Sequence, residues 1–281
     1  MWNPRIPLHS YTWEIPRISH KTPQNFGHIL NRINSKLASW KAKLLSFAGR
    51  VVLTQSVTST IPNYTMPCVA LPSKILQGID RLNQNFLWGS LKKKKKKLHL
   101  ISCEKITKSK EEGGLGSQAA KPKNTILLAK LNWRFNFEKS SLWVRVLSKK
   151  YLKQRQLYRT QDRSSSCSPT WVALKKGKEI FNKGTKWIPG RESGLSLWYD
   201  KWMDNGTLRS IISGPLNKGE ENIKLKDVVG FTSCNLEHVS FSFPTAFLLE
   251  MKATPISFSC WEEDRLTWHL SSNGEFKLRE A

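Results

Sequence analysis

The sequence predicts an α+β protein, with a predominantly α-helical, basic N-terminal bundle followed by a small mixed region of helix and β-hairpin. Three observations lead there. Apolar residues recur at three- and four-residue spacing through the first half, whereas near the C-terminus the period shortens to two. Charge is divided just as sharply: residues 1–159 carry 30 Lys and Arg against 6 Asp and Glu, a net +24, while residues 160–281 carry 16 against 15, a net +1. The turn-rich stretch Gln161 to Ser168, where the apolar period lapses, places a boundary between a 1–160 region and a 161–281 region.

Taken in order, Thr22 with Pro23 reads as the cap and first position of a helix that carries Phe26, Ile29, Ile33, Leu37 and Trp40 on one face. A second helix starts at Ser46 and runs to about Ser59, ended by Pro62. A third opens after Leu71-Pro72 with Ile75, Ile79, Leu82 and Phe86 as its buried stripe. Asn124, and Ser140 or Ser141, read as caps of two more. Amphipathic helices of this kind bury their stripes against one another, so a bundle follows. Beyond residue 168, Ser168-Pro169 opens a helix with Trp171, Leu174 and Phe181, which Gly184 stops. Lys186-Trp187-Ile188 and Leu195 to Tyr199 flank a Gly-containing turn and suggest a short hairpin. Leu266, Trp268 and Leu270 alternate on one face, and Asn273-Gly274 is the turn signal that would return the chain through Glu275 to Leu278.

The words SKLASWKAKLLSFAGRVVLTQSV, IPNYTMP, LPSKILQGIDRLNQNFLWGS and KEEGGLG follow one another between residues 35 and 116, with Trp40, Gly49, Arg50, Pro62, Tyr64, Pro72, Phe86, Trp88, Gly113 and Gly114 in place. NTILLAKLNWRF, SLWVRVLSKKYL, SPTWVALKKGKEI, LWYDKW and DRLTWHLSSNGEFKL continue the pattern downstream. In this order they resemble the reverse transcriptases of plant LINE-type retrotransposons, the non-LTR retroelements, in the region just after the polymerase palm. The resemblance covers nearly the whole chain except Tyr11 to Ile18. It implies a thumb and connection, then the opening hairpin of the reverse-transcriptase zinc-binding region, which in relatives is sometimes followed by ribonuclease H.

That family's palm holds magnesium on two adjacent aspartates, because two-metal phosphoryl transfer brings the ions to within about 4 Å of each other. Here the six aspartates (Asp80, Asp162, Asp200, Asp204, Asp227, Asp264) stand singly, and the acids that cluster are Glu111-Glu112, Glu220-Glu221 and Glu262-Glu263-Asp264. The palm is therefore expected upstream of this region, and magnesium belongs to the intact parent; no cofactor is assigned to this chain. Cys68, Cys103, Cys167, Cys234 and Cys260 lie far apart, without the C-x2-C spacing of a zinc site, and read as separate reduced thiols. The six histidines form no H-E-x-x-H pattern, and no Gly-x-Ser-x-Gly elbow is present. Gly113-Gly114-Leu115-Gly116 lacks the Lys-Ser/Thr of a phosphate loop and reads as a turn before the next helix. No catalytic or metal-binding residue is nominated.

Phosphate neutralisation by Lys and Arg releases counterions and drives sequence-independent binding to nucleic acid. The candidates are Lys41, Lys43 and Arg50; Lys121, Lys123, Lys130 and Arg134; and Arg145, Lys149, Lys150 and Lys153. Each has the alternative of being an ordinary solvated residue. The run Lys92, Lys93, Lys94, Lys95, Lys96 and Lys97 repels itself, so a solvated loop is preferred over a dedicated binding or nuclear-import element. Trp40, Trp88, Trp133 and Trp143 lie near helix ends, where anchoring in the core outweighs base stacking, and packing is also the default for Trp198 and Trp202.

The sequence thus reads as a retroelement reverse-transcriptase fragment that binds RNA or DNA nonspecifically. It is not expected to be an enzyme by itself. The alternatives are a piece of an active RNA-directed DNA polymerase whose palm is encoded upstream, and a nonfunctional relic. No membrane span, secretory leader or small-molecule site is read, so nucleus or cytoplasm is expected, with self-association through the lost palm contact as a further possibility.

Overall fold

A computed structural model describes residues 26–38, 44–89, 108, 111–152, 167–190, 193–204, 206–228, 239–241, 243, 245–253 and 263–278. Among these residues helices outnumber strands, and two strands form one antiparallel sheet, which is the α+β class. The chain divides into two compact units, Met1–Glu179 and Ile180–Ala281. The 160/161 boundary, Thr22-Pro23 and Trp40 lie outside the described residues.

In the first unit, α1 (Gly27–Leu37) buries Ile29, Ile33 and Leu37, the stripe its spacing predicts. Ser46 caps α2 (Phe47–Leu53), its hydroxyl accepting from Gly49 N at 3.3 Å. The helix then widens into a π-turn, Thr54–Thr58. There, the hydroxyls of Thr54, Ser56, Thr58 and Ser59 donate to the carbonyls of Arg50, Val52, Thr54 and Gln55. Hydroxyls that compete in this way for carbonyls one turn back loosen a regular helix. Pro62 follows in a 3-10 turn, Ile61–Tyr64.

The third helix, α3 (Ser73–Leu87), buries Ile75, Leu76, Ile79, Phe86 and Leu87. With α1 and the residues from Met66 to Leu71 it encloses one core. A second core joins α4 (Ala120–Phe137), α5 (Leu142–Tyr151) and α6 (Pro169–Gly184) around Leu128, Leu131, Phe135, Val144, Leu147 and Trp171. Tyr151 stacks on Trp171 at 4.6 Å, and Phe135 meets Trp143 and Trp171 edge-on at 5.7 and 6.4 Å.

The helix predicted to start at Asn124 instead starts at Ala120, and Asn124 is a buried interior residue. It accepts from Leu71 N at 3.1 Å and donates to the carbonyls of Met66 and Val69 at 2.9 and 3.1 Å. A polar residue next to an apolar run looks like a cap in sequence, but here its amide satisfies a neighbouring turn. The N-terminal end of α4 is capped from α3, whose Asp80 carboxylate accepts from Ala120 N at 2.9 Å. Burial raises the Asp80 carboxyl above its ordinary range despite that bond. Ser141 does precede α5, although its hydroxyl donates back to the carbonyl of Glu138 at 2.7 Å and does not cap the helix. Ser168 caps α6 as expected, accepting from Trp171 N at 3.3 Å.

Close crossing of α4 and α6 depends on Gly177. A Cβ at that position would overlap the carbonyl of Leu128 and the nitrogen of Ala129. Asn132 ties the same crossing, donating to the carbonyls of Leu128 and Leu174 at 3.0 and 2.9 Å.

In the second unit, β1 (Thr185–Ile188) pairs antiparallel with β2 (Arg265–Trp268), Thr185 opposite Trp268 and Ile188 opposite Arg265. This corrects two expected hairpins. Leu195 to Tyr199 does not return along β1; it forms a turn in which Ser196 bridges to Lys224. Asn273-Gly274 does not lead back into a partner strand among the described residues. Gly274 takes φ +71° and its N–H donates to the carbonyl of Ser271, which closes a turn against β2. Leu266 and Trp268 face inward as the alternation predicts, but Leu270 lies exposed past the end of β2.

Gly184 ends α6 without a left-handed φ; a side chain there would overlap the Trp268 ring. The unit's core gathers Leu195, Leu197, Trp198, Trp202, Met203 and Leu208 with α8 (Leu225–Val228) and α9 (Thr245–Ala253), while α7 (Leu208–Ile211) supplies one turn. Both tryptophans are buried, as expected of packing residues. The Asp264 carboxylate accepts from Gly190 N and Gly194 N at 3.1 and 3.0 Å, and the Glu220 carboxylate accepts from Asn217 N and Ser240 N at 3.1 and 2.7 Å. Single acids in this unit thus pin loops.

Candidate nucleic-acid interface

Lys41, Lys43, the run Lys92 to Lys97, and Lys153 lie outside the described residues. The remaining candidates fall into two groups. Arg50, Lys123 and Arg134 are half-buried and engaged within the first unit. Arg50 points its guanidinium at the C-terminal end of α3, with Nη1 3.5 Å from the carbonyl of Leu87. Carbonyls at a helix C-terminus carry partial negative charge, so a cation there is well placed. Lys123 donates to the carbonyl of Ser59 at 2.7 Å, just past the π-turn, and burial lowers its pKa below the ordinary lysine value.

Arg134 forms a bidentate pair with Glu138, 2.6 and 2.9 Å, and its guanidinium lies 5.8 Å from the centroid of the Trp143 ring. Those Arg134 hydrogen bonds, aided by the Trp143 N–H at 3.3 Å, hold the Glu138 carboxyl below its ordinary range.

Lys121, Lys130, Arg145, Lys149 and Lys150 are exposed. Arg145 and Lys149 are four apart on α5 and share one side of it. Lys150 lies with its ammonium 5.2 Å from the centroid of the Tyr151 ring. Of the described candidates, three are thus engaged within the unit and five stay exposed on α4 and α5.

An aromatic feature that charge counting missed adjoins them. Phe137 is 51% exposed at the end of α4, and Trp133 stacks on it with centroids 4.3 Å apart and planes inclined by 27°. The i, i+4 spacing of two rings at a helix end was the signal available in the sequence.

Among the described residues no group of His, Cys, Asp and Glu is placed to hold a metal ion, and no helix is long and apolar enough to cross a membrane. Glu111 and Glu112 are exposed, and Gly113 and Gly116 take φ +76° and +65° in the turn that precedes α4.

Two curated plant proteins are similar to this chain. A protein of Arabidopsis thaliana named "Putative ribonuclease H protein At1g65750" is 35% identical over 259 residues, 91% of this chain and 42% of that protein. Another, "Uncharacterized mitochondrial protein AtMg00310" of the same plant, is 26% identical over 148 residues, 52% of this chain and 95% of that protein. The chain thus has plant relatives, and it spans less than half the length of the first. No family model and no solved structure matches it.

Proposed function

We propose that this chain is the region following the polymerase palm of a retroelement-type reverse transcriptase, and that it binds RNA or DNA without sequence preference through its basic helical unit. One observation carries the reading: the net charge of +24 within residues 1–159 coincides with a helical unit on which Lys121, Lys130, Arg145, Lys149 and Lys150 stay exposed. Helix-borne cations suit a nucleic-acid backbone, because successive phosphates can be met by residues one or two turns apart. The similarity to a protein named for ribonuclease H, a nucleic-acid enzyme, points the same way. Template–primer synthesis is assigned to the longer parent, and this region contributes grip and no catalytic group.

Fluorescence anisotropy with a labelled 20-mer RNA and a DNA duplex, across a salt series, tests the reading. Binding is expected to weaken log-linearly with salt, and Lys130→Ala with Lys149→Ala to reduce the slope by about 0.7–0.9 per lost contact. A slope near zero removes the phosphate-contact mechanism.

A further inference from the structure

We propose that the stacked Trp133–Phe137 pair at the end of α4, with Lys130 beside it, is a platform on which an unpaired base of single-stranded RNA or DNA stacks. This rests on the nucleic-acid-binding reading above and specifies the form of nucleic acid that the face accepts.

Lys130, Trp133 and Phe137 follow i, i+3, i+7 spacing, which aligns them along one strip of α4 over about 10 Å of helix. Phe135, two residues before Phe137, points the other way into the core and is 5% exposed, whereas Phe137 is 51% exposed. A lone exposed ring requires no explanation. Here the ring is exposed and already stacked at 4.3 Å on a tryptophan, and Lys130, three residues before that tryptophan, and Lys139, two residues after the ring, are exposed.

Charge complementarity selects the occupant. The nearest acid in sequence, Glu138, is neutralised by its bidentate pair with Arg134, which leaves it no net charge to offset the exposed Lys130 and Lys139. Base faces are covered in a duplex and open in a single strand, and each stacks on an aromatic ring irrespective of sequence. Lys130 stands two turns from Phe137, so it can reach a phosphate flanking a base stacked on that ring.

The test uses the whole chain with three fluorescein-labelled probes: a dodecamer of deoxythymidine, an abasic chain of the same length, and a duplex dodecamer. The base-bearing single strand is expected to bind about tenfold more tightly than the abasic chain. Phe137→Ala should bring that ratio to about one, and Phe137→Tyr should keep it, with circular dichroism verifying that both variants fold. A ratio near one in the unmodified chain, or an unchanged ratio in Phe137→Ala, overturns the proposal. If binding stays salt-dependent while base and abasic probes tie, stacking fails and the phosphate-contact reading stands. If no probe binds in a salt-dependent way, both fail. Sedimentation supplies the remaining arm: dissociation of a dimer by Phe137→Ala, with the probe ratio unmoved, would mean that the rings meet a second copy of the chain.

Discussion

Replacing Asn124 tests how α4, which carries Lys130 and Phe137, is held in place. In Asn124→Ala the N–H of Leu71 and the carbonyls of Met66 and Val69 lose their partner inside a buried turn. A stranded buried polar group costs about 1–3 kcal/mol, and carbonyls, having two lone pairs, fall toward the lower end. The expected loss is therefore roughly 3–5 kcal/mol. Urea denaturation followed by far-UV circular dichroism measures it. At a slope of about 2 kcal/mol per molar, the transition of the first unit should move down by about 2 M with its slope unchanged.

Asn124→Asp sharpens the test. It keeps the acceptor for Leu71 N but turns a carboxylate oxygen toward two carbonyls, so the folded state favours the protonated acid and its pKa rises above the unfolded value near 3.9. Stability is then lost as pH rises past that value, and the Asp variant should approach the parent near pH 4 and fall behind it at pH 7. A shift below about 0.5 M for Asn124→Ala, or an Asp variant indifferent to pH, would refute the role given to this side chain.

Two further outcomes follow from geometry. Gly177→Ala, which in an open helix would gain about 1 kcal/mol of propensity, should instead cost about 2–3 kcal/mol, because the methyl meets backbone of Leu128 and Ala129 that cannot rotate aside. Gly27→Ala, with open space around it, is the matched control in the same melting experiment. The Arg134–Glu138 pair sets the second. Because the folded Glu138 carboxyl lies below its ordinary value, its contribution is complete above about pH 4.3 and disappears as pH falls through the folded value. The melting-temperature deficit of Glu138→Gln at pH 6 should therefore shrink as pH is lowered below that ordinary value, and a constant deficit would contradict the ion pair.

How much was legible depended on whether the cause was local. The stripes of α1 and α3 could be read because each helix buries one face and exposes the other. The start of α4 could not, because it buries residues in both cores of the first unit and its first N–H is satisfied by Asp80, 40 positions earlier. The partner of β1 is not the nearby segment its sequence suggests but a strand some 80 residues on, and only the folded chain joins them. Gly184 was correctly placed at a helix end, yet what demands glycine there is the Trp268 ring and not the backbone turn. At the candidate interface, residue type identified the cations, while burial decided which of them face solvent.

The sequence by itself determined the fold class, the helical stripes and the concentration of positive charge in residues 1–159, since composition and periodicity are properties of the chain whatever its path. Tertiary structure alone decided that Arg50 and Lys123 serve carbonyls of segments remote in sequence, and that Phe135 turns into the core while Phe137 lies open. A cation's fate depends on which acceptor lies within about 3 Å of it, and that distance is set by packing between segments remote in sequence.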